Sequence, residues 1–182
     1  MLKRTLSRFH VYILWALASV FIWSFVFTRI TDAPPEKKLS LYISAPSVQD
    51  TELAARLEGD DLPLGIRMVK VHPFSYAMFD SSDLLSADLF LVPASEAEGY
   101  QDSFAPLPPR FTPDLTLENG AQGILVYDAQ THQGLWDALI VYQAPGAQEE
   151  NCYLFFGAES LHAGKLDTAA IWLAQRFLEG SQ

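Results

Sequence analysis

Cysteine is nearly absent: Cys152 is the single one among 182 residues. One thiol excludes an intramolecular disulfide and a zinc cluster built from thiolates. No cysteine lies near the N-terminus, which excludes lipoprotein processing there. Also missing are a G-x-S-x-G elbow, a P-loop and a G-x-G-x-x-G turn, so none of the common nucleophile or nucleotide signatures is available. Internal repeats and low-complexity tracts are absent as well. Basic side chains are scarce beyond the first part of the chain. Residues 1–38 hold six of the twelve (Lys3, Arg4, Arg8, Arg29, Lys37, Lys38) and only two of the twenty-two acidic ones (Asp32, Glu36). Residues 39–182 are left with six basic and twenty acidic groups, a formal net charge of −14. Such a surface repels phosphate backbones and excludes nucleic acid as a partner. It suits a neutral or cationic ligand, and it also serves plain solubility.

What the chain has in quantity is apolar residues, 49% of the total. A twenty-residue run from Phe9 to Thr28 carries no Asp, Glu, Lys or Arg. As a helix it spans roughly 30 Å, the thickness of a hydrocarbon core. A cleaved signal peptide is the rival reading, since Ala16-Leu17-Ala18 has the small-residue pattern. However, cleavage there leaves Val20, Phe21, Ile22, Trp23, Phe25, Val26 and Phe27 at a greasy new terminus, which favours an uncleaved anchor. Lys3, Arg4 and Arg8 crowd before the run, while Arg29, Lys37 and Lys38 are spread after it. That asymmetry places the N-terminus inside and the rest outside. The expected layout is a basic cytoplasmic tail (1–8), a transmembrane helix (9–28), a Pro-containing linker (29–38) and one extracytoplasmic α/β domain (39–182). Its partners are then the lipid bilayer and either a small-molecule ligand or an envelope protein.

Within the domain, Leu39, Leu41 and Ile43 alternate with Ser40, Tyr42 and Ser44, a first strand. Ser47 is a candidate N-cap for a helix through Leu53 and Leu57, stopped at Gly59. Ile66 to Val71 reads as a second strand, Tyr76 to Leu85 as a short helix, and Ala87 to Val92 as a buried third strand closed by Pro93. Gly123–Tyr127 and Leu139–Tyr142 read as a hairpin around Asp128–Gly134. Cys152–Phe156 reads as another strand, which makes Cys152 a buried structural thiol. The closing helix runs from about Asp167 to Glu179, with Ala170, Leu173, Ala174, Phe177 and Leu178 as its apolar stripe and Gly180 as its stop. Alternating strands and helices on short links predict a three-layer domain with a mostly parallel sheet flanked by helices.

Chemistry-bearing residues are sparse. His10, His72, His132 and His162 show no metal-ligand spacing, so no metal and no cofactor are implied. Ser160, His162 and Asp167 have the residue types of a triad, which only geometry defines. Glu96 and Glu98 read as solvated surface. In an open parallel sheet, ligands sit at the carboxyl ends of the strands, here Ala45-Pro46-Ser47, His72-Pro73-Phe74 and Pro93-Ala94-Ser95. Ser47, Tyr76, Ser95 and Tyr100 are therefore the candidate ligand-binding residues. Hydroxyls beside aromatic rings suit a neutral polyol such as a sugar. The alternative is that the rings simply pack beneath their loops.

The segments Lys38–Ile43, Ser86–Pro93 and Phe104-Ala105-Pro106-Leu107-Pro108 together carry a family resemblance. Over residues 38–108 the chain resembles the opening lobe of bacterial extracellular solute-binding proteins of the sugar-transport type. The resemblance implies a single lobe of that fold, without catalysis. Those receptors close two lobes on a solute and carry a lipid-anchor cysteine. Here there is room for one lobe, and an apolar helix stands in place of the anchor.

Overall fold

The computed structural model describes residues 2–31, 33–73, 84, 86–162 and 167–180. Two compact units result, Met1–Pro34 and Pro35–Gln182. The first is the helix α1 (Leu2–Thr31), in which Phe9–Phe27 is long and apolar enough to cross a membrane. The strong apolar side chains of this stretch, among them Phe21, Trp23 and Phe25, are exposed rather than packed in a core.

The second unit is α/β. Its elements are β1 (Lys38–Ile43), β2 (Ser47–Val48), α2 (Asp50–Glu58), β3 (Met68–Pro73), β4 (Leu89–Pro93), α3 (Ala94–Ala97), a 3-10 segment (Glu98–Ser103), β5 (Leu115–Thr116), β6 (Gln122–Asp128), β7 (Gln133–Gly134), β8 (Ile140–Val141), β9 (Cys152–Phe156) and α4 (Asp167–Glu179). The main sheet runs β3-β1-β4-β9-β6-β5, with β7 also on β6. β3, β1 and β4 are parallel, as alternating strands and helices predict. β9, β6, β5 and β7 join antiparallel, so the sheet is mixed rather than mostly parallel. The difference has a simple origin. β4 and β9 are buried at every residue, and a strand covered on both faces reads the same in either direction.

Alternation along β1 sorts the two faces. Leu39, Leu41 and Ile43 point into the larger core cluster, which also holds Leu53 and Leu57 of α2 and Leu173 and Phe177 of α4. The opposite face gathers Phe90, Val92, Tyr100, Phe104 and Phe155, with Phe104 stacked on Phe155 at 4.2 Å. Gly157, just past β9, is required by a close approach. A Cβ there would sit 1.9 Å from the Ala87 carbonyl oxygen.

Two local expectations are corrected. Ser47 does not cap α2; it pairs with Val141 in the small β2–β8 sheet, and Gln49 precedes α2 without a side-chain cap. The hairpin from β6 closes onto β7, not onto Leu139–Tyr142. Asp128 makes this tighter turn by accepting from Gln130 N–H and Thr131 Oγ1, a local bond pattern that competes with a longer loop. The expected helix from Tyr76 lies outside the described residues.

Candidate functional site

Two polar constellations stand out, at opposite edges of the sheet. The first surrounds Asp88 at the amino end of β4. His162 Nδ1–H donates to Asp88 Oδ1 at 2.7 Å, and Ser160 Oγ donates to the same oxygen. Asp88 Oδ2 accepts Ser40 N–H at 2.8 Å and Ser40 Oγ at 3.3 Å. The imidazole's other nitrogen, Nε2, faces the Glu36 carbonyl at 3.3 Å. Both ring nitrogens face acceptors, an arrangement that favours the doubly protonated ring. The hydrogen bond to Asp88 raises the His162 pKa above its ordinary value, against the opposing pull of burial.

Ser160 and His162 thus converge on Asp88; the side chain of Asp167 lies outside the described residues. They do not form a triad. A nucleophilic serine must give its proton to the imidazole, whereas Ser160 gives it to the carboxylate and Nε2 is taken by a backbone carbonyl. Asp88, Ser160 and His162 are all buried. The cluster ties β1, β4, the segment after β9 and the linker residue Glu36 into one knot.

The second constellation lies at the carboxyl ends of β1 and β4, where parallel strands deliver their ends to one edge. Pro93 ends β4 with an extended backbone and starts the helical turn α3, which places Glu96 beside the end of β1. Ser44 Oγ donates to Glu96 Oε2 at 2.7 Å. From the other side comes the loop after β8. Ala144-Pro145-Gly146-Ala147 forms a tight turn, closed by Ala147 N–H on the Ala144 carbonyl at 3.0 Å, with Gly146 at φ 81°. The returning chain brings Glu150, whose Oε2 accepts Ser95 N–H at 2.9 Å, and Gln143 donates to the Glu150 carbonyl.

Between these walls is a depression of about 290 Å³, lined among others by Ser44, Glu96, Tyr142, Gln143, Gln148 and Glu150. Among the described residues no lysine or arginine lines it. Its polar side chains are two carboxylates, two amides and two hydroxyls, a set rich in acceptors for hydroxyl or ammonium donors. Among the described residues no group of three or more His, Cys, Asp or Glu side chains is placed to hold a metal ion.

Cys152, at the start of β9, is 1% exposed. Burial pushes its thiol up to about 12, and the negative charges of Glu150 and Glu96 add to the effect. It is expected to resist a thiol-disulfide reagent at pH 8 in the folded protein and to react fully once denaturant is added. Rapid reaction before unfolding would show an open strand end.

Ser47 and Ser95 are exposed and adjoin the lining residues Pro46 and Glu96. Tyr100 is 1% exposed and packs in the smaller core cluster, and Tyr76 lies outside the described residues. Glu96 partners the depression, not Glu98. Glu150, 54 positions further on, is reached only through the fold, and no spacing in the sequence announces it. The Pro-Ala-Ser after β4 marks the edge but not the carboxylates. No family model, no curated protein and no solved structure matches the chain.

Proposed function

We propose that this chain is a single-pass membrane protein whose extracytoplasmic domain binds a small neutral polyol such as a sugar, without catalysis. The carrying observation is the acceptor-lined depression at the carboxyl ends of β1 and β4. Carboxylates and side-chain amides fixed around a half-open hollow match the donor-rich rim of a polyol, and the apolar flank of Ala45, Pro46 and Pro93 offers a surface for its C–H groups. A solute-binding lobe of this kind, resembling half of a sugar receptor, leaves much of its ligand wet. Affinity is therefore on the order of millimolar, or about −4 kcal/mol, unless a second wall is supplied.

A titration of the isolated domain with a sugar panel, followed by amide shifts, tests this. Shifts should cluster at Ser44, Ser47, Ser95, Gln143 and Glu150, and Glu150→Gln should weaken binding about tenfold by removing a charged acceptor. Shifts elsewhere would move the site. No shift with any solute, together with a co-purifying envelope protein, would replace ligand binding by a protein-interaction role.

The topology is part of the same proposal: N-terminus inside, α1 in the bilayer, domain outside. Protease added to spheroplasts should remove the domain and leave α1 in the membrane. Soluble, N-terminally trimmed protein in the medium would establish a cleaved signal peptide instead.

A further inference from the structure

Two exposed leucines flank the residues through which the linker enters the domain. Leu64 is 100% exposed and Leu161 is 52% exposed. Leu64 stands at the tip of a tight turn, in which Ile66 N–H donates to the Pro63 carbonyl at 3.0 Å and Gly65 adopts φ 95°. That is a type II turn, with glycine at the third position and the leucine side chain held outward at the second. Both loops are stitched to neighbouring linker residues. Arg67 N–H donates to the Lys37 carbonyl at 2.8 Å, and the His162 ring bonds the Glu36 carbonyl. The two leucines therefore share the amino edge of the parallel strands.

Chain length bounds the distance of that edge from the apolar span. Nine residues separate Phe27 from Lys37. The first four continue α1 and the rest span at most an extended chain, roughly 20–25 Å in all. Charge favours the same orientation. Lys37, Lys38 and Arg67 stand at this edge beside Glu36, Asp60, Asp61 and Glu159, a near balance, while residues 39–182 carry −14 overall. An anionic lipid surface repels the acidic body and tolerates this edge best.

We propose that the amino edge is a lipid-docking surface. Leu64 and Leu161 enter the headgroup–acyl boundary of the bilayer that α1 spans, and Lys37 and Arg67 meet the headgroup phosphates. The proposal rests on the membrane-spanning reading of α1. It also orients the proposed ligand site, because the depression lies at the opposite edge of the sheet and opens away from the lipid.

The test uses the full chain in vesicles of phosphatidylcholine and phosphatidylglycerol. An environment-sensitive fluorophore is attached in turn at Leu64→Cys, Leu161→Cys, Gln148→Cys and Leu17→Cys; the native thiol is buried and stays unlabelled. Spin-labelled lipid should quench positions 64 and 161 about threefold more than position 148, as for sites at the boundary against one in water. Iodide should show the reverse order. Equal behaviour of 64, 161 and 148, with position 17 quenched by lipid, would overturn the docking alone. Failure of position 17 to meet lipid would overturn the spanning reading and the docking with it. Shielding of position 64 in native membranes but not in pure lipid vesicles would assign the edge to a protein partner and overturn lipid docking.

Discussion

Replacing Asp88 by alanine is expected to destabilise the domain by about 3–5 kcal/mol, the range for removing one partner of a buried ion pair. Three elements lose their anchor at once. The His162 ring, 1% exposed, loses the carboxylate that favours its protonated form against burial. Ser40 N–H and the Ser160 hydroxyl lose their acceptor. Urea unfolding of residues 35–182 measures the effect, and a loss under about 1 kcal/mol would mean that water replaces the carboxylate. The pH dependence separates charge from packing. The folded pKa of His162 lies above its ordinary 6.5, so the stability it contributes is fully present below the unfolded value. It is lost as pH rises through the folded value, where deprotonation leaves Nε2 facing the Glu36 carbonyl with a lone pair. The stability gap between the native chain and His162→Gln should therefore narrow from pH 6 toward alkaline pH. A gap that widens would reverse the assigned protonation.

Phe177→Ala should cost about 3–5 kcal/mol, the usual range for truncating a buried phenylalanine. The ring is 0% exposed and belongs to the cluster that joins α4 to α2 and β1. It also packs against Trp136 at 6.1 Å between ring centroids. Trp136 Nε1–H in turn donates to the Phe177 carbonyl at 2.8 Å, a buried bond that depends on α4 staying seated. Trp136 itself sits at φ 65°, a conformation that a tryptophan adopts only when its surroundings hold it there. The substitution should thus loosen the β7–β8 loop as well as α4. Hydrogen exchange at Leu139 and Ile140, whose N–H groups both donate to the Trp136 carbonyl, reads that second effect. A loss below about 1 kcal/mol would place the ring at the surface and dismiss the helix as a core element.

Local pattern and long-range pairing divide this protein cleanly. The length of the apolar run in α1, the alternation in β1, the compact runs of β4 and β9 and the stripe of α4 are legible in order along the chain. Each depends on neighbours within a few residues, where side-chain period reports the covered face. The carboxyl edge of the parallel strands could also be located, because Pro93 closes β4 there and Pro46 follows shortly after β1. Strand direction was not legible: β9 inserts antiparallel between β4 and β6, and burial on both faces carries no sign of direction. The partners of the two polar constellations were not legible either. Asp88 meets Ser160 and His162 across 72 and 74 positions, and Glu96 faces a loop that returns at Glu150. A carboxylate on a strand end looks the same in sequence whether it is solvated, knotted into the core or turned into a hollow. Only the packing of distant segments decides which donors reach it, because hydrogen bonds are set by distance and angle and not by spacing along the chain.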